Sequence, residues 1–304
     1  MFIDEALDMG LTQIDNGLYE YKDRYSSIWY EILRGVSRET PLPSLGIFTA
    51  PSDADIENSN YVGAVSTEYK FIGNADVLDT MMESINNISS EINLREKFIF
   101  NHKFTHIVSE LMIINNNNTR IDIGTVIPII TVENSYDGSK AETYSFGIGI
   151  VDNNYDLIGS FTFKKKILGM RQIHLINARS TIESNVGSYV EIFNTNISDI
   201  ISENFNKVIP PEDAMKALGM VEKLGKKRYA TVVSNLAQLT QSSIEENEDG
   251  DLDLPPINAW NMFLAIATYS AKEENLNAKK MLENIAERTL AIPTRMIEAL
   301  NRRR

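Results

Sequence analysis

The stretch from Lys97 to about Asn177 leaves the chain few folds to choose from. It holds the runs FIFNHKFTHIVSELMII, IDIGTVIPIITVE, AETYSFGIGIV and DLIGSFTF, all rich in β-branched and aromatic residues. The turn chemistries NNNN, SYDGS and DNN part them. Gaps this short cannot hold crossover helices, so the strands must form an antiparallel meander. Asp137-Gly138, between two of the runs, is a strong hairpin signal. Gly147 and Gly149 inside a strand predict a bulge, or a surface that another backbone approaches closely. The pattern then changes period. From Ala178 to Asn206 the residues Ile182, Val186, Tyr189, Val190, Phe193, Ile197, Ile200, Ile201 and Phe205 make an unbroken helical stripe. A long helix lying across the meander is the expected core.

The flanks are read from the same periodicities. Ile3, Leu7, Leu11 and Ile14 sit at helical spacing, and SSIWYEILRG ends on Gly35, so the first 36 residues read as helical. Two short strands follow, LGIFTA and YVGAVSTEY, separated by PSDADIENSN. Asn74 is placed to cap a helix whose inner face is Val77, Leu78, Met81, Met82, Ile85 and Ile88. Beyond the long helix, Pro210-Pro211 stops one helix and opens another. The segments MKALGMVEKLG, YATVVSNLAQL, NAWNMFLAIATYSA and KKMLENIAERTL all read as helices. The organisation expected is 1–207, an α/β core with N-terminal helices and the central sheet, then 208–304, a helical C-terminal region. In class this is α+β: an antiparallel β-meander packed against one long helix, with a helical C-terminal region.

Composition narrows the chemistry. No cysteine occurs in the 304 residues, which removes disulfides, iron–sulfur clusters, thiolate zinc sites and thiol catalysis. No apolar run is long enough to span a bilayer, and the acidic start MFIDEALDMG is unlike a signal peptide. Neither a P-loop, a nucleophile elbow, an HExxH pair nor a Rossmann glycine fingerprint is present. The acidic run EENEDGDLDLPP spaces oxygens like a calcium loop but has Pro256 where the bidentate Glu belongs, so it reads as a solvated loop. His102 and His106, at i and i+4, could share a metal, yet two imidazoles need a third ligand and no thiolate exists. They read as surface or half-buried sheet histidines. No cofactor and no metal are expected.

Charge gives the sharpest functional signal. The net charge is −13, which at long range repels nucleic acid and anionic lipid. Between Asp156 and Glu183, however, there is no acid at all, while Lys164, Lys165, Lys166, Arg171 and Arg179 contribute +5; the remainder then sums to −13 − 5 = −18. Phe161 and Phe163 alternate with Thr162 and Lys164. Basic side chains beside aromatics on a sheet suit single-stranded nucleic acid, whose phosphates pair and whose bases stack. The plainer reading is a solvated strand end over core phenylalanines. Lys223, Lys226, Lys227 and Arg228 form a second basic cluster.

Four stretches also carry a resemblance: YVGAVSTEYKFIGNADVLDTM, ITVENSYDGSKAETYSFGIGIV, MRQIHLINARSTI and, loosely, INAWNMFLAIATYSA. Together they resemble the DUF932 family of phage and plasmid proteins of unknown function. Tyr69 and Asn74 match its tyrosine and helix-opening asparagine, and Arg171 and His174 match its arginine and histidine before the long helix. The family often carries Cys-Asn after the second hairpin strand; here the stretch is IVDNNYDL, so any role of that thiol is absent. The order of elements is also similar to the core of Rad52-type single-strand annealing proteins, an analogy of fold alone.

The resemblance implies a phage or plasmid setting. With the charge map, it leads to a non-enzymatic protein that binds single-stranded nucleic acid, with strand annealing as an extension, working as a homo-oligomer in the host cell cytoplasm. Lys164, Lys165, Lys166, Arg171 and Arg179 would meet phosphates, and Phe161 or His174 would stack on bases. One alternative is a virion structural or host-interaction (anti-defence) protein. Another is an enzyme of unknown reaction, centred on His102, His106, Arg171 and His174.

Overall fold

A computed structural model describes residues 11–33, 44–66, 73–88, 92–116, 118–136, 143–162, 175–246 and 252–290. Its first elements correct the expectation of N-terminal helices. Residues 11–33 are strands: β1 (Thr12–Asp15), β2 (Leu18–Lys22) and β3 (Ser26–Leu33), followed by β4 (Ser44–Pro51) and β5 (Asn60–Ser66). The five pair in sequence order as one antiparallel sheet. Ile3 and Leu7 lie outside the described residues. The physical reason for the change is a turn and an alternation. Asn16-Gly17 joins β1 to β2 with Gly17 at φ +85°, a conformation that costs glycine little. Ile28 and Tyr30 then point to one face with Tyr19, Leu45 and Ile47, all buried together. A helix would scatter these side chains around its axis.

Next comes α1 (Asn74–Asn86). Val77, Leu78, Met81 and Ile85 are buried on its inner face, as the spacing predicts, with Met82 and Ile88 partly covered. Gly73, not Asn74, is the N-cap, and a Cβ there would fall 2.0 Å from the Tyr21 hydroxyl oxygen. Asn74 instead ties the helix to the strand behind it. Its backbone N–H donates to the Tyr136 hydroxyl at 3.0 Å, and its side-chain oxygen accepts from Asn134 at 2.8 Å. Asp23 joins the same junction from the N-terminal sheet. One carboxylate oxygen accepts the N–H groups of Tyr25 and Ser26, the other that of Ala75.

The expected meander forms the central sheet: β6 (Asn93–Phe100), β7 (His106–Ile114), β8 (Thr119–Ile121), β9 (Gly124–Ser135), β10 (Thr143–Val151) and β11 (Leu157–Thr162). The strand order is β11-β10-β9-β7-β6, all antiparallel, with short β8 added beside β9. β9 and β10 pair from Thr143 opposite Glu133 to Val151 opposite Thr125; the turn at Asp137-Gly138 lies outside the described residues. A bulge does occur, between Ile150 and Val151 against β11. Gly149 is crowded by side chains rather than by backbone, since a Cβ would sit 2.5 Å from Ile129.

Helix α2 (Leu175–Asn206) covers one face of this sheet. Ile182, Val186, Tyr189, Phe193, Ile197 and Ile200 are buried in a core shared with Tyr144, Phe146, Ile148 and Ile150 of β10. The Tyr189 ring stacks on Phe146 with centroids 4.3 Å apart, and its hydroxyl donates to the Gly147 carbonyl. The stripe stops short of Phe205, which is 58% exposed.

Pro211 occupies the first turn of α3 (Pro211–Glu222), which α4 (Lys226–Thr240) follows. Strands β13 (Glu245–Glu246) and β14 (Leu252–Asp253) pair across the acidic run. Two-residue β12 (Val208–Ile209) pairs with β15 (Ile257–Asn258) and anchors the end of α2 beside α5 (Ala259–Ser270); α6 (Leu276–Thr289) closes the described chain. Helix α5 is apolar nearly all round because α2, α4, α6 and β11 enclose it. Residue 208 falls within β12, and one core runs across it from Tyr25 to Leu290. Among the described residues no helix is long and apolar enough to cross a membrane.

Phe193 is fully buried mid-stripe. Phe193→Ala should therefore cost about 3–5 kcal/mol. A urea melt that overlays the parent's would show that α2 does not rest on the sheet.

Candidate functional site

The residues that the sequence singles out for phosphate contact fall mostly beyond view. Lys164, Lys165, Lys166, Arg171 and His174 lie outside the described residues. Of the other two, Phe161 is in β11 opposite Ile148, and Arg179 belongs to the first turns of α2. The segment thus connects an edge strand of the central sheet to the start of the long helix, whose first turn holds no acid. An unneutralised helix N-terminus favours anions.

His102 and His106 are not brought together. His106 opens β7, is buried, and places Nε2 3.2 Å from Glu133; His102 is exposed in the turn before it. Among the described residues no group of His, Asp and Glu has the makings of a metal site.

Two constellations escaped the sequence reading. The first is a charge cluster between the sheet and α6. Lys279 Nζ lies 3.1 Å from both oxygens of Glu110, 3.2 Å from Glu283 and 3.3 Å from the Ser160 hydroxyl. Three acceptor groups, two carboxylates and a hydroxyl, match its three donors. Beside it, Lys280 Nζ lies 2.6 Å from the Glu133 carboxylate that also meets His106. Lys97 donates to the Ala271 carbonyl at the turn into α6.

Electrostatics follow from geometry. Burial pushes the Glu283 carboxyl up, and Glu110 adds to this against the pull of Lys279, leaving it at about 7. Burial opposes the charge on Glu133 too, but His106 and Lys280 outweigh it and hold that carboxyl at about 2. Lys279 is raised, because burial is outdone by Glu110 and Glu283. With side chains of Lys279 and Glu110 only 4% exposed, the pair pins α6 to the sheet. A lone acid inside the apolar strand HIVSELMII was the available signal for it.

The second constellation is a cleft of about 300 Å³ at the junction of β12, α3, α5 and α6. Asp213, Lys216, Ala217 and Met220 face it at i, i+3, i+4 and i+7 of α3; Arg288 faces it from the last turn of α6. Lys207 enters from the link between α2 and β12, fixed where its carbonyl accepts the Ala259 N–H. The buried side chains of Ile209, Met262 and Ile285 form the apolar wall behind them. No local sequence signal could have assembled residues from 207, 216, 262 and 288.

Compared with protein-family models, curated proteins and solved structures, the chain matches none of them.

The cluster fixes two pH responses. Glu283 is raised in the fold, so the folded state holds the extra proton between the ordinary carboxylate value and about 7. Its contribution to stability is present below that window and fades as pH rises through it. Glu133 has the opposite sign: its contribution is present above the ordinary value and is lost as pH falls toward about 2. Urea melts of Glu283→Gln from about pH 4 to 8, the range in which the parent loses the stabilisation from its protonated Glu283, should show a shallower decline than the parent. Identical slopes would mean Glu283 titrates normally. Lys279→Met, which removes the one ammonium that contacts both Glu110 and Glu283, should cost about 3–5 kcal/mol at neutral pH.

Proposed function

We propose that the chain binds single-stranded nucleic acid as a non-enzymatic phage or plasmid accessory protein. One observation carries this reading: five cations and no acid between Leu157 and Ile182, in a protein of net charge −13. Position supports it. The segment starts on an edge strand and ends in a helix N-terminus without acidic residues, so backbone and side chains favour the same sign of ligand. Phosphates would pair with Lys164, Lys165, Lys166, Arg171 and Arg179, and Phe161 or His174 would stack on bases. Annealing of two strands would follow from several copies of the chain presenting such segments side by side in one homo-oligomer, in the cytoplasm of a host cell.

Counterion release makes the proposal quantitative. For single strands, log K falls with log salt by about 0.7 per phosphate neutralised, so four or five contacts give a slope of roughly −3. Replacing Lys164, Lys165 and Lys166 together by Ala should flatten the slope by about two units and leave the thermal melt unchanged. Fluorescence anisotropy with a labelled oligonucleotide, from about 50 to 200 mM salt, reads both proteins over the informative range. Absence of binding by the parent at low salt ends the nucleic-acid reading and favours a virion or host-interaction protein. An equal slope in the two proteins moves the contact to Lys223 through Arg228.

A further inference from the structure

We infer that the cleft between α3, α5 and α6 is a binding site for a small aryl anion, an aromatic body bearing a phosphate or carboxylate. The argument begins with its charges. Lys207, Lys216 and Arg288 all line it, against the single carboxylate of Asp213. In an acidic chain lysines and arginines readily find acids, as Arg24 does with Asp79 and Arg228 with Glu273. Among the described residues these three make no ion pair. The Arg288 guanidinium makes only a 3.8 Å contact to the Met220 sulfur, which leaves its fork of donors free for a carboxylate or phosphate.

The body of the ligand follows from the remaining lining. Half-buried Met220 presents the apolar surface of the cleft, backed by the buried side chains of Met262 and Ile285. A thioether is polarisable and adapts to ring edges, so the Met220 side chain suits an aromatic group better than a fully hydrated ion. A volume of about 300 Å³ lies at the lower end of the range for small-molecule sites, so the occupant is compact. The framework is rigid, because β12–β15 pairing and the α3–α6 contact hold the walls. None of the residues that line the cleft belongs to the basic segment.

The test uses the full chain labelled with ¹³C at its methionine methyl groups, with Met220→Leu and Met262→Leu assigning the two signals. Phenyl phosphate, benzoate, phenol and inorganic phosphate are titrated in turn. Saturable shifts of the Met220 and Met262 methyls with phenyl phosphate or benzoate are expected, and whichever binds more tightly identifies the anion. Arg288→Gln and Lys216→Gln should each weaken that binding about tenfold, the loss of one charge-assisted hydrogen bond. Both side chains are exposed, so the melts of these variants should match the parent's. Three results would overturn the inference. One is no shift with either aryl anion up to about 10 mM, weaker than any affinity such contacts provide. Another is phenol binding as well as phenyl phosphate, which would remove the role of charge. The third is inorganic phosphate binding as tightly as the aryl anions, which would remove the role of the apolar floor.

Discussion

From Ile182 to Ile200 the apolar stripe of α2 is pressed against one face of the central sheet, and the Tyr189 ring lies flat on Phe146 while its hydroxyl satisfies the Gly147 carbonyl. Everything else is arranged around this seam. α1 packs beside α2 on the same side, and its first turn reaches back through Tyr136 and Asp23 to the N-terminal sheet. At its far end, the short β12–β15 pair ties α2 to α5, which fills the space left beyond β11. A buried aromatic seam fixes position because it gains from stacking as well as from area.

What the sequence makes legible is what one contiguous pattern encodes. The α2 stripe follows a period of 3.6, the strands from β6 to β11 are β-branched and aromatic runs parted by short turns, and both appear where the pattern puts them. The N-terminal strands do not announce themselves that way. In SSIWYEILRG both Trp29 and Tyr30 are buried, so the alternation is hidden and Gly35 mimics a helix end. Asn16-Gly17 was the better guide, because a turn residue constrains the backbone more tightly than helical spacing of four scattered apolar residues. Asn74 shows a subtler limit. Its type fits a cap, but tertiary hydrogen bonds from Asn134 and to Tyr136 claim it first.

Charge is distributed with a logic that no local window reveals. Lys279 is almost wholly buried and balanced by Glu110 and Glu283; Lys280 and His106 share Glu133. These cations are consumed by the fold. Lys207, Lys216 and Arg288 are left exposed and make no ion pair among the described residues, gathered by three separate elements. The basic segment after β11 is the only one of these groupings contiguous in sequence, which is why it alone could be read there.

Glu110 also bears on how the protein is made. It sits in the middle of HIVSELMII, a strand buried along its whole length, yet its partner Lys279 lies 169 residues downstream. At roughly 5–20 residues per second, a ribosome takes on the order of ten to thirty seconds to deliver α6 after β7 has emerged. During that interval the ammonium within reach is that of Lys97, opposite Glu110 on β6, and the charged pair keeps its hydration, which holds an otherwise sticky strand apart from other nascent chains. When α6 arrives, the same charge becomes the lock. The residue that guards the unfinished chain against aggregation is thus the one whose burial waits for α6, the last helix among the described residues.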